Sequence, residues 1–491
     1  VFNTMTHFAY FAVVVILAST VPKGLLGSLE GVEASLFIIG FLGAWRYSWA
    51  SLNFARAVYF RKIAYPRRKA RALTAFHDEG RRSHAYFLVT SYMVDPETTV
   101  PVYRSVFEAA ARARDGATIV SSVVDGADER LIRAVFETMQ MDMGTVKLVI
   151  DRIPANGKRD ALARTLGLIA GYAPTTRDIL VFVDGDTMVP ADIAAQSAPW
   201  FTDPKVGALT TDEGVVIEKK NLFRDWFILR FNQRQVMMCS TGLSKRVLTL
   251  TGRMSVFRAS LATTPGFIEQ VRDDFLDHWR LGRVKFLTGD DKSTWFWLLR
   301  HGYQMLYLPD VRSWSMETQP RPGFFDSSQV LMTRWFGNMI RTNGRALRLS
   351  PSSIGLFTWW SVLDQRVSMW TTLVGPLTVI LAALLHDAAV VPLYIAWVMT
   401  TRYIFCAVIS LFRGTWFPIT HPPVLYFSQV VGAAVKTFVF FRLDRQKWTR
   451  QGIGGKQALS AEQRLRTYES TVHHGLAFTW LIMAILFFTK V

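Results

Sequence analysis

The sequence predicts an α/β fold, in which a doubly wound domain is inserted between α-helical transmembrane segments and meets the bilayer through interfacial amphipathic helices. Three observations predict it. The 491 residues are 50% hydrophobic and 13% aromatic, too apolar for an ordinary soluble chain and too long for one core. The long apolar runs are confined to the two ends. Between them, short β-branched runs alternate with amphipathic stretches, the pattern of parallel strands joined by helices. The chain therefore divides into residues 1–60, with two transmembrane helices, residues 61–350, the inserted domain, and residues 351–491, a transmembrane and interfacial region.

Lysine plus arginine is 56 against 38 acidic residues, a net charge of +18. Such an excess suits nucleic acid, an anionic bilayer face or an anionic substrate, and position decides among them. Arg61, Lys62, Arg67, Arg68, Lys69 and Arg71 follow the second apolar run directly, as at a cytoplasmic membrane margin. No nucleic-acid module signature is present. Two cysteines, Cys239 and Cys406, exclude a disulfide scaffold and a Cys-based zinc site.

In chain order, residues 8–21 and 33–52 read as two spans, with the basic cluster after them placing the amino terminus inside. A cleaved signal peptide is the other reading of the first run. Against it, a second apolar segment follows at once and no small-residue cleavage site is evident. Strands are expected at 85–90, 118–124, 146–150 and 179–183, and helices at 101–114 and 160–173. Residues 335–347 read as an amphipathic helix on the membrane surface. Spans are expected again at 367–385, 389–412 and about 476–488. The stretch 418–441 is apolar but is followed by Arg442, Arg445, Lys447, Arg450 and Lys456, which a crossing would put outside. It is read as interfacial or re-entrant.

The inserted domain carries its chemistry at strand ends. In VFVDGDTMVP, Asp184 and Asp186 leave the carboxyl end of a buried strand, where α/β sheets bind ligands. Two such carboxylates suit Mg²⁺ or Mn²⁺ carrying a nucleotide diphosphate, although Asp-Gly is also the commonest turn signal. Asp95 and Asp125 end two other strands. Each can accept hydrogen bonds from a base or ribose or can simply close a turn. Lys158 and Arg159 open a helix after Gly157, a place where charge and free backbone donors meet a diphosphate; a solvated basic face would look the same. Asp290 and Asp291, in TGDDKST, are general-base candidates or helix caps. In LMTRW, Arg334 and Trp335 lie on the surface helix.

The order of SYMVDPE, VVDGADE, GKRDALA, DGDTMV, DPKVGAL, TGDDK, METQP and RW resembles the processive, membrane-embedded family 2 glycosyltransferases, which include hyaluronan and cellulose synthases. The whole layout, with FFDSSQVLMTRWFGNMIRTNGRAL, is similar to their alginate-polymerising members. The resemblance implies a GT-A-like domain. It implies that Asp95 and Asp125 hold the nucleotide, Lys158, Arg159 and Arg334 the diphosphate, and Asp184 and Asp186 a Mg²⁺ or Mn²⁺ ion. It makes Asp291 the base, assigns Trp335, Thr251 and Gly252 to the acceptor, and places a gating loop at Trp448, Thr449 and Arg450. The family's glutamine three residues before Arg-Trp is Leu331 here, and Gln329 would point off that helical face.

The same resemblance implies GDP-mannuronate as donor and a growing β-1,4-linked polymannuronate chain drawn out through the bacterial inner membrane. A UDP-sugar polymerase or a lipid-phosphate glycosyltransferase would share the domain. An anionic polymer asks for basic channel walls, for which Arg402 and Lys436 are candidates within apolar segments. No segment after the inserted domain resembles the small β-barrel module that binds cyclic di-GMP in cellulose synthases. The alginate resemblance implies a separate c-di-GMP-sensing membrane subunit.

Overall fold

The computed structural model describes residues 2–21, 33–80, 82–446 and 460–489. At its centre is an eight-stranded mixed sheet of β1 (Ala85–Thr90), β2 (Ala117–Val123), β3 (Val146–Arg152), β4 (Ile179–Asp184), β5 (Thr187–Met188), β6 (Val206–Val216), β7 (Met254–Arg258) and β10 (Gln304–Met316). A separate hairpin joins β8 (Phe275–His278) to β9 (Gly282–Lys285). The order across the main sheet is β3-β2-β1-β4-β7-β6-β10-β5.

The first four strands are parallel and sit where the apolar runs place them, because strands covered on both faces must be apolar throughout. The remaining strands make the sheet mixed. Strand β7 is inserted antiparallel between β4 and β6, and β5 runs antiparallel to β10. The expected helices also start earlier than Pro101 and Asp160, at Pro96–Ala111 and Lys158–Ala170. In the first, Pro96 takes the first-turn place that the sequence suggests for Pro101.

Register sets the site. Thr90 of β1 lies opposite both Ser122 of β2 and Asp184 of β4, so three strand ends meet at one edge. Between the two aspartates, a Cβ on Gly185 would stand 2.9 Å from the Thr90 carbonyl oxygen and 3.0 Å from Ser91 Cα. Only glycine lets the chain turn that close to its neighbour.

Four helices among the described residues are long and apolar enough to cross a membrane, Leu356–Leu385, Val390–Arg413, His421–Phe440 and Ala461–Phe488. The protein is a multi-pass membrane protein. Their outer faces carry exposed Leu384, Trp397, Ile404, Leu411, Trp480 and Phe487, as a lipid-facing surface does. The stretch expected to be interfacial or re-entrant forms one unbroken helix, His421–Phe440. Within it, Gln429 accepts from Arg402 at 2.9 Å.

The basic margin proves to be partly a clasp. Arg68 donates to the carbonyls of Gly242 and Leu243 at 3.2 and 3.0 Å, and Arg56 donates to Ser244 Oγ at 2.6 Å. Arg413, closing one apolar helix, pairs with the buried Asp212 of β6 at 2.6 Å. One apolar core joins Phe227 and Leu229 of helix Leu222–Gly242, Leu331 and Met332 of helix Phe324–Ala346, and Met369, Cys406 and Val435 of the apolar helices. The sheet domain is thus seated directly on the membrane helices.

Candidate functional site

Where the sheet domain meets the membrane helices lies a cavity of about 880 Å³, walled by residues from the ends of β1, β2 and β4, the Gly157–Lys158 turn, the Gly289–Asp291 turn and helix Phe324–Ala346. Asp184, Asp186, Lys158, Asp290, Asp291, Gly252, Arg334 and Trp335 all line it. Gln365, from the helix Leu356–Leu385, lines it too, so the cavity reaches the membrane region.

Lys158 is the hinge of its acidic side. Its Nζ lies 2.6 Å from Asp184 Oδ1 and 3.1 Å from Asp290 Oδ2. Burial works against the ammonium, but the two carboxylates outweigh it and hold Lys158 protonated. Asp290 is likewise buried, yet Lys158 and Arg159 keep its carboxyl below the usual range. Asp184 goes the other way, its carboxyl pushed up by burial and by nearby Asp186 and Asp290 in spite of Lys158. One cation cannot satisfy this many buried carboxylates.

Asp291 stands apart from that pair. Gly252 packs against it, a Cβ there falling 3.6 and 3.7 Å from its Cβ and Cγ. Burial first, and Asp290 second, raise its carboxyl above the ordinary range, with Lys292 and Lys158 opposing. A carboxylate raised in this way is a stronger base. Gly289, at φ +80°, positions it. A side chain there would meet Asn338 Cγ at 2.8 Å, and Thr288 already donates to Asn338 Oδ1 at 2.7 Å. The acidic turn is fitted to the Arg-Trp helix.

Four of the expected residues stand elsewhere. Arg159 does not face the cavity; its guanidinium is buried, donating to Val271 O at 2.9 Å, Thr288 O at 3.1 Å and Ser293 Oγ at 2.8 Å. It braces the acidic turn from behind. Asp95 and Asp125 occupy helix N-cap positions, where only Asp125 caps with its side chain, Oδ1 accepting from the Ala127 amide at 2.9 Å, while Tyr92, Ser122 and Val124 reach the wall beside them. Thr251 is buried and donates to Glu213, leaving only Gly252 at the surface of the cavity. Trp448, Thr449 and Arg450 lie outside the described residues.

The structure adds residues that the sequence reading passed over. On helix Leu222–Gly242, Arg230, Gln233 and Arg234 line the cavity, as do Arg253, Glu317 and Lys292. Arg234 pairs with Glu213 at 2.6 Å and Arg253 with Glu317 at 2.6 Å. Arg230 lies flat on the Trp335 ring, 3.3 Å from its centroid. Trp226 and Phe227 back the same ring at 5.6 and 5.8 Å. The available signal was the i, i+4 spacing of Arg230 and Arg234, which puts both on one helical face. The cavity therefore has an acidic end, suited to a cation and a diphosphate, and an arginine-rich end around an aromatic platform.

Residues 83–338 match the family model described as Glycosyltransferase like family 2. Over 445 residues the chain is 42% identical to Glycosyltransferase alg8 of Pseudomonas syringae pv. tomato, covering 90% of this chain and 89% of that one. Over 433 residues it is 41% identical to Glycosyltransferase alg8 of Azotobacter vinelandii, covering 87% and 86%. Among solved structures, the mannosyltransferase PcManGT from Pyrobaculum calidifontis, in complex with GDP-Man and Mn²⁺, aligns with a TM-score of 0.45 and 17% identity over 78% of this chain and 98% of that one.

Proposed function

The chain belongs to the family 2 glycosyltransferases, together with the alg8 enzymes, and from that premise we propose that it polymerises GDP-mannuronate into β-1,4-linked polymannuronate and passes the chain across the bacterial inner membrane. The catalytic domain then faces the cytoplasm. What carries the reading is one observation: a half-buried Asp291, its carboxyl raised, shares a single cavity with the acidic strand end of Asp184 and Asp186 and with Trp335. Donor and linkage rest on the likeness to alginate polymerases.

In this reading the acceptor's sugar lies beside Trp335 and the Arg230 guanidinium that covers its ring, and its hydroxyl points to Asp291. Asp291 takes the hydroxyl proton as the oxygen attacks the anomeric carbon of the donor. The bond from that carbon to the diphosphate breaks, GDP leaves with the electron pair, and the configuration inverts. Lys158 and Arg334 hold the diphosphate as charge collects on it. Asp95 and Asp125 are proposed to contact the nucleotide from the rim. Arg159 is given a bracing role instead.

Asp184 and Asp186 would hold Mg²⁺ or Mn²⁺. Their hard oxygens, crowded beside Asp290 with Lys158 shared between Asp184 and Asp290, fit such an ion. No group of three or more such ligands occurs among the described residues, so phosphate oxygens and water would complete the shell. When bound, the ion neutralises the leaving diphosphate.

The same reading includes control by a separate cyclic di-GMP-sensing membrane subunit, acting near residues 442–456 on the gating loop. Its support is the resemblance alone.

The test compares two variants in native membranes and in purified chain. Asp291→Asn should abolish polymer formation while GDP binding stays within about threefold of wild type, since the base is removed and the phosphate site is not. Asp186→Ala should weaken metal-dependent GDP binding itself. Equal loss of GDP affinity in both would sink the assignment of Asp291.

A further inference from the structure

Four arginines crowd the aromatic end of the cavity, Arg230, Arg234, Arg253 and Arg334. The two nearest carboxylates are taken: Glu213 pairs with Arg234 and accepts from Thr251, and Glu317 pairs with Arg253. Arg230 is left without an ion pair among the described residues, and burial, Arg253 and Arg234 oppose its charge more than Glu213 and Glu317 support it. A guanidinium held this way on a tryptophan face is favourable to an anion and costly without one.

The next ring on the same helix repeats the arrangement. Lys436 Nζ stands 4.6 Å from the centroid of Phe336, the residue after Trp335. Lys436 belongs to helix His421–Phe440, and among the described residues it has no ion pair. The acid nearest in charge, Asp364, is committed to Arg46 at 2.5 Å. Two cations without counter-ions, one at the cavity wall and one on a membrane helix, thus flank two consecutive aromatic rings.

We propose that Arg230 is the specificity-determining contact for the carboxylate of the acceptor sugar on Trp335, and that Lys436 receives the carboxylate of a sugar already added as the chain moves toward the membrane helices. The inference rests on the reading of the substrate as a uronate. Arg230 offers the fork of parallel donors that matches a planar carboxylate, and a neutral hexose would leave it half-buried and unpaired. Lys436 offers a point charge, which suits a station that a moving chain must leave again.

The experiment uses the full chain in lipid nanodiscs and two tetrasaccharides, β-1,4-linked mannuronate and its carboxyl-reduced counterpart, which differ only in the carboxylates. Wild type should bind the acid at least about tenfold more tightly, the size of a charge-assisted hydrogen bond. Arg230→Gln should bring the two within about twofold while leaving GDP affinity unchanged. Lys436→Gln should lower the preference in part. An unchanged preference in Arg230→Gln, or an equal loss for both sugars, overturns the proposal. If the glutamine variant does not fold, Arg230→Lys decides: a preference that survives but weakens supports it, and equal weakening for both sugars overturns it. In parallel, wild-type native membranes are given GDP-mannuronate. Incorporation with no sugar preference in nanodiscs refutes this inference alone. No incorporation refutes the uronate reading and this inference with it.

Discussion

Replacing Arg159 by methionine separates two roles that the sequence leaves open. The side chain is 6% exposed and gives three hydrogen bonds, to Val271 O, Thr288 O and Ser293 Oγ, at 2.8–3.1 Å. Ser293 keeps a second partner, donating to Asp274 Oδ2 at 2.5 Å, but the two carbonyls lose a buried donor. Charge-assisted bonds of this kind are each worth about 1.5–3 kcal/mol, and methionine restores part of the packing. The net cost is therefore roughly 2–5 kcal/mol, carried by the Thr288–Ser293 turn. Thermal inactivation of GDP binding in nanodiscs measures it. The account predicts a marked loss of stability and of polymer formation, with the ratio of GDP to GMP affinity unchanged at low temperature. Lys158→Met should instead collapse that ratio, because Lys158 faces the cavity. An Arg159→Met protein of wild-type stability that binds GDP no better than GMP would refute the bracing role and restore a diphosphate contact.

Other outcomes follow from the same geometry. Because Asp291 works unprotonated and its carboxyl is raised, activity should fall away as pH drops through a value above the ordinary aspartate range of about 4. Asp290→Asn, which removes a neighbouring negative charge, should move that acid limb of kcat/KM to lower pH; a shift upward would contradict the electrostatics. Gly289→Ala places a Cβ at φ +80° against Asn338 and should cost about 2–4 kcal/mol and at least about tenfold in kcat, read by thermal shift and labelled-sugar incorporation. Trp335→Ala should lower polymer formation about 10- to 100-fold while GDP affinity holds; an equal fall in GDP binding would place the ring in the donor site.

Much of this site was written in the sequence where chemistry and strand ends coincide. The apolar run ending in Asp184-Gly185-Asp186 is a largely buried strand between β1 and β7, and a strand covered on both faces has to be apolar along most of its length. The Gly-Lys and Gly-Asp-Asp turns were legible because each opens a helix. Strand β6 was not, because its buried run includes Thr210, Thr211, Asp212 and Glu213, polar residues that read as a loop, the two acids being paired with distant arginines. Arg413 reaches Asp212 across 201 residues of sequence. No local pattern announces such a partner. The same holds for Arg159, whose position at a helix start suited a phosphate until the fold turned it toward Val271 and Ser293. Nor does spacing reveal that β7 enters antiparallel, since hydrogen bonding between remote strands leaves no periodicity behind.

The central claim is that this cavity joins uronate units with Asp291 as the base. Native membranes carrying wild-type or Asp291→Asn chain are supplied in parallel with labelled GDP-mannuronate, GDP-mannose and UDP-sugars, and the product is analysed for length and linkage. The account predicts a β-1,4-linked polymer from GDP-mannuronate alone, present with wild type and absent with the variant. A polymer from a UDP-sugar, a single sugar on a lipid carrier, or undiminished synthesis by Asp291→Asn would contradict it.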